Sequence, residues 1–213
     1  MTDDSKYIKD LIAEGEHQQQ DFKFEISSAR KIAKTLVAFA NSDGGRLLIG
    51  VKDNGRISGV KSDEEFYMIE AAASMYCKPE IHFFSHNRLV DGKTILEVKI
   101  EASENKPHFA NDDSGKWLAY HRIKDNNFLA SYILLQVWKR SRREQGTFIE
   151  YTENEKRVLE ILYVKGPIDF QELKNDFPQR KRNLEQILIN LISLKAIKME
   201  FIEDSILFSS TRL

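Results

Sequence analysis

The sequence predicts two domains: an α+β domain built around a mixed sheet, followed by a small helical domain that closes on a two-stranded ribbon. Three observations predict this. Up to about residue 140, short period-two runs alternate with amphipathic helical patterns. The basic, polar stretch Lys139-Arg140-Ser141-Arg142-Arg143-Glu144-Gln145-Gly146 then breaks the pattern. Beyond it come three helical periods and two short strands. The expected boundaries are 1–140 for the first domain, 141–150 for a basic linker and 151–213 for the second.

In the first domain, Tyr7, Ile8, Leu11 and Ile12 have helical spacing and predict a helix to about Glu14. Asp21-Phe22-Lys23-Phe24-Glu25-Ile26 alternates charged and apolar residues, as a half-buried strand does. Ser27 or Ser28 caps a helix running to Asn41, with Ile32, Leu36, Phe39 and Ala40 on one face and Gly44-Gly45 ending it. Arg46 to Val51 is nearly all apolar and reads as a central strand. Asp53-Asn54-Gly55 predicts a hairpin turn into a second strand, Arg56 to Val60. Ser62 caps a helix from Glu64 to Cys77, stopped before Pro79. Strands follow at Glu80–Val90 and Lys93–Glu101 around Asp91-Gly92, then at Trp117–Ile123, and a helix at Phe128–Arg143.

In the second domain Thr152 and Glu155 have capping-box spacing at the head of a helix to Val164, broken by Gly166-Pro167. Asp169 to Asp176 and Gln179 to Leu194 give two more helices. Lys198–Phe201 and Ser205–Phe208 flank a turn at Glu203-Asp204. Three helices and a ribbon in this order are the order of a winged helix, a helix-turn-helix variant.

Composition narrows the function classes. Of 213 residues, 41% are hydrophobic, enough for a core. The polar start and the lack of a long apolar run predict a cytoplasmic protein with no secretory leader and no membrane span. The single cysteine, Cys77, excludes an intramolecular disulfide and a multi-cysteine zinc site. A net charge of −1 gives nucleic-acid binding no overall help, so binding has to come from local clusters. No Gly-Lys-Ser/Thr follows a glycine loop, which argues against NTP hydrolysis.

Glu16 to Val60, then Lys106-Pro107-His108, Tyr120-His121-Arg122-Ile123 and Asn126-Asn127, together resemble the Alb-like (AlbA_2) domain of Schlafen proteins and many bacterial regulators. The resemblance spans roughly Glu16 to Ser131 and implies an α+β nucleic-acid-binding module. It also implies that Glu16, Asp21 and Asp53 correspond to a three-acid centre of Schlafen-type RNases, which would hold Mg²⁺ or Mn²⁺. Asp21 is one methylene shorter than the glutamate of that pattern.

The leading expectation is DNA binding in transcriptional regulation, with no enzymatic turnover and no cofactor. RNA is the alternative ligand, through a metal-dependent endonuclease of Schlafen type, and a protein-interaction adaptor is the third reading. In the first domain Lys23, Lys34 and Arg122 are candidate phosphate contacts. Lys139, Arg140, Arg142 and Arg143 form the densest basic cluster. Arg180, Lys181 and Arg182 open the third helix of the second domain, where helix-turn-helix proteins meet DNA, and Lys174 and Lys198 flank them. A homodimer is expected on two-fold operators, with Trp138 as a pairing face.

Overall fold

The computed structural model describes residues 3–142, 149–202 and 205–211. The first unit is organised by a four-stranded sheet of β1 (Gln20–Lys23), β2 (Gly45–Ile49), β4 (Phe83–Val90) and β5 (Lys93–Ile100), in the order β1-β2-β5-β4. β1 and β2 are parallel, and the other pairs are antiparallel. The parallel pair is joined by a crossover helix, α2 (Ala29–Asn41), as parallel strands require. Ser28 caps α2 by accepting from Lys31 N–H at 3.3 Å. The helix is buried on nearly every side, consistent with its run of Ala, Leu, Val and Phe.

Strand alternation sends Leu47 and Ile49 towards α2 and α3 (Glu64–Met75), where they meet Leu36, Phe39, Ile69 and Val98. Leu48 points the other way and packs with Phe22, Val90 and Ile95 against Ile8 and Leu11 of α1 (Asp3–Glu14). The sheet is thus sandwiched between helices, and α1 closes one face.

Two of the expected strands differ from expectation. Arg56–Val60 does not pair as a strand: Val51 and Ile57 form an isolated bridge. The cause lies at Gly50, whose φ is +95° and whose carbonyl accepts N–H groups from both Ser58 (2.8 Å) and Gly59 (2.9 Å). A Cβ at Gly50 would sit 2.8 Å from the Gly59 backbone, so the chain folds tightly back on itself and a ladder cannot continue. Trp117–Ile123 divides at Ala119 into β7 (Trp117–Leu118) and β8 (Tyr120–Ile123). β7 joins β3 (Cys77–Lys78) and β6 (Phe109–Asn111) in one small sheet, and β8 pairs with β9 (Asn126–Leu129) in another.

The second unit starts at Ser131, so the boundary lies before residue 140. Ser131 caps α4 (Tyr132–Ser141) through Leu134 N–H, and Phe128 belongs to β9. The reason for the earlier boundary is packing: Ile133 is buried in the second core, with Val137 beside it. That core gathers Val158 and Leu162 of α5 (Glu153–Lys165), Leu173 of α6 (Phe170–Asp176), and Leu184, Leu188 and Leu191 of α7 (Lys181–Ser193). β10 (Ile168–Asp169), β11 (Ile197–Ile202) and β12 (Ser205–Ser210) form an antiparallel sheet in the order β10-β12-β11. The capping box at Thr152 and Glu155 is present. Glu155 also accepts from Asn190 Nδ2 at 3.1 Å, tying the head of α5 to α7. The turn at Glu203-Asp204 lies outside the described residues, as does most of the expected linker. Among the described residues, no helix is long and apolar enough to cross a membrane.

Candidate nucleic-acid interface

The first unit brings Glu16 and Asp21 together. Glu16 Oε1 accepts from Phe22 N–H at 2.8 Å, and the Asp21 carboxyl is its neighbour. Burial raises the Glu16 pKa, and the neighbouring Asp21 raises it further, against lowering by the Phe22 N–H and Lys23. Asp21 is itself buried and lies between two cations, with Lys23 Nζ at 2.6 Å and Arg122 Nη2 at 3.3 Å.

Asp53 does not join them. It sits exposed in the turn closed by Gly55 N–H on the Lys52 carbonyl. Among the described residues, no three His, Cys, Asp or Glu side chains converge to hold a metal ion. The Glu16–Asp21–Asp53 centre expected for Mg²⁺ or Mn²⁺ is therefore not assembled as such.

Arg122 overturns its expected role. Its side chain is fully buried, and it donates to the carbonyls of His17 (3.1 Å) and Gln20 (2.9 Å) and to Asn127 Oδ1 (3.2 Å). Its guanidinium lies 4.8 Å from the Phe39 ring centre. Every face of the fork is occupied, so Arg122 is a buried clamp with nothing left for a phosphate. Lys23 is spent on Asp21 and on the Phe22 carbonyl at 2.8 Å. Lys34 is half-buried, with Nζ 5.9 Å from the Tyr120 ring centre.

The glycine pair serves packing here. Gly44 has φ +70°, and a Cβ there would meet Ala102 N and the Ile100 carbonyl at 2.8 Å. Asn41, just before it, is buried and donates to the carbonyls of His108 and Tyr120, each at 2.9 Å. Its own Oδ1 accepts from His108 N–H, so one amide pins the Pro107 loop and β8 to the end of α2.

The second unit arranges its cations differently. Arg180, Lys181 and Arg182 are all exposed at the start of α7, while Leu184, Ile187 and Leu188 bury its next turns. Of the three, Lys181 has an ion pair, to Glu185 at 3.7 Å, and it is largely exposed. Lys174 stands half-buried in the last turn of α6. Lys139 and Arg142 are exposed at the end of α4, and Arg143 lies outside the described residues. Two candidates are engaged internally: Arg140 Nη1 donates to Asn190 Oδ1 at 2.8 Å, and Lys198 Nζ holds Glu200 at 2.8 Å. Trp138 is half-buried, which removes the expected exposed pairing face.

Residues 16–131 match the Schlafen, AlbA_2 family over more than half of the chain. The chain belongs to the Schlafen AlbA_2 family. No curated protein matches it significantly. Among solved structures it is similar to the DIP2311 protein of Corynebacterium diphtheriae, at 22% identity and a TM-score of 0.43. The match covers 62% of this chain and 25% of that one, so the chain spans a quarter of that relative's length. A second similar structure is the N-terminal domain of a Nitrosomonas europaea protein described as related to the ATP-dependent DNA helicase RecG. There the identity is 23%, the TM-score 0.43, and the coverage 58% of this chain and 89% of that one.

Within the AlbA_2 domain, the sheet also presents Arg46, Lys99 and Phe84 on adjacent strands. Period-two alternation gives no sign of them, because it cannot say how far a covering helix extends along a sheet face.

Proposed function

We propose that this Schlafen AlbA_2 protein binds duplex DNA through its second unit, which we read as a winged helix, and acts in transcriptional regulation without turnover. The observation that carries this reading is the exposed trio Arg180, Lys181 and Arg182 at the N-terminus of a helix whose remaining turns are anchored in a core. A helix N-terminus offers unpaired N–H groups and a positive dipole end, and three cations there add to its attraction for phosphate. The helix order and the β10-β12-β11 sheet support the winged-helix reading, in which α7 is the helix presented to the major groove. Lys139, Arg142 and Lys174 are the supporting phosphate contacts. A homodimer on a two-fold operator completes the reading, and light scattering with and without duplex tests it.

The direct test is fluorescence anisotropy of labelled duplex DNA over a salt series. Each phosphate contact contributes about −0.9 to the slope of log affinity against log salt. Arg180→Ala/Arg182→Ala is expected to weaken binding and to flatten that slope by about 2. Unchanged affinity and slope in this variant refute the assignment.

A further inference from the structure

On the α1 side of the first sheet, cross-strand register aligns Arg46 of β2, Lys99 of β5 and Phe84 of β4 in one row. The row below it, which includes Leu48 and Glu97, is closed by α1: Leu48 packs in the α1 cluster, and Tyr7 donates to the fully buried Glu97 at 2.7 Å. One row further along, the cover ends. Phe84 is 60% exposed, and Lys99 is exposed with no side-chain partner among the described residues. Arg46 is held half-buried by one hydrogen bond, to Tyr7 Oη at 3.3 Å.

These three residues line a groove of about 490 Å³ that also touches Glu14, Asp43 and Glu101. Two of those acids are engaged: Glu14 faces His17 at 3.6 Å, and Asp43 accepts from Gln18 at 2.9 Å.

We propose that this row is a binding platform for single-stranded nucleic acid, with Phe84 stacking a base and Lys99 and Arg46 taking the adjacent phosphates. An open sheet carrying an exposed aromatic ring beside cations is the arrangement that single strands use, since every unpaired base offers a stacking face. Base pairing hides those faces in a duplex, so this site selects single strands and is independent of the duplex reading above. The neighbouring acids keep the local charge near balance, so stacking supplies most of the affinity and the salt dependence is shallow. Two phosphate contacts on a single strand give a slope of about −1.4.

The test uses the full chain and labelled oligothymidylate and oligouridylate of about 15 nucleotides, with an abasic strand of equal length as control. Phe84→Ala is expected to weaken binding roughly tenfold, while Phe84→Tyr retains it. Lys99→Ala halves the salt slope to about −0.7. The DNA and RNA arms tell which sugar the groove takes. Because Phe84 is already exposed, its truncation leaves the fold intact, and circular dichroism checks this. The proposal is overturned if Phe84→Ala binds as the parent does, if the abasic strand binds equally, or if neither oligonucleotide binds. It is also overturned if Arg180→Ala/Arg182→Ala abolishes single-strand binding.

Discussion

The cations around Arg122 in the first unit and the Arg180–Arg182 run in the second are used in opposite ways. In the first, Arg122 is sealed against Phe39 and two carbonyls, Lys23 neutralises Asp21, and Arg30 donates to Asn111 and the Asp112 carbonyl. In the second, Arg180 and Arg182 stand in solvent at a helix start. Similar residues in similarly short clusters thus do different work, and the partners they find decide which. A cation already surrounded by acceptors holds a fold together, and one that is solvated at an anchored helix terminus is available to a ligand.

The largest expected effect breaks the first half of this contrast. Arg122→Ala removes one partner of the buried ion pair with Asp21 and the clamp on the His17 and Gln20 carbonyls, so the first unit loses about 3–5 kcal/mol in chemical denaturation. If the loss is small and duplex affinity falls instead, the contrast is wrong. Next comes Arg180→Ala/Arg182→Ala, expected to lower duplex affinity roughly tenfold or more with no change in melting temperature. A fall in melting temperature would make these residues structural after all. Third, Thr152→Ala deletes the α5 cap and the contact that holds Glu155, costing the second unit about 1 kcal/mol.

The smallest effects are those of pH. Burial lowers the His121 pKa from 6.5 to about 4. The folded state therefore favours neutral imidazole, and its contribution is full above pH 6.5 and is lost as pH falls from there to about 4. His121→Gln is expected to flatten the stability profile in that window. Glu16 has the opposite sign. Its folded pKa is raised above 4.5, so its contribution is full below 4.5 and fades as pH rises through the folded value. Glu16→Gln keeps hydrogen-bonding groups beside Asp21 and the Phe22 N–H without the charge. It is expected to hold stability level across that rise, as read by urea midpoints at successive pH values.

Much of the fold could be read from sequence, because local rules wrote it. Helical periodicity placed α2, α5 and α7, the Thr152–Glu155 spacing found the capping box, and Asp91-Gly92 marked the β4–β5 turn. What sequence hid is long-range. Arg122 meets Asp21 across 101 positions, and no spacing rule reaches that far. The strand expected after Gly55 failed because Gly50 and Gly59 press backbone on backbone, a contact that neither side chain announces. Glu16 and Asp21 are neighbours, as the family resemblance implied, but the position of Asp53 depended on that same fold-back.

The helix from Tyr132 to Ser141 has a practical bearing on how this protein is dissected. A fragment begun at the change in composition, near residue 150, would discard Ile133 and the Arg140 that meets Asn190, opening a hole in the very module it was meant to isolate. The compact unit begins at Ser131. The same holds for exchange between proteins: recombination at the basic stretch would split a core, whereas a junction at Ala130 would carry a whole one.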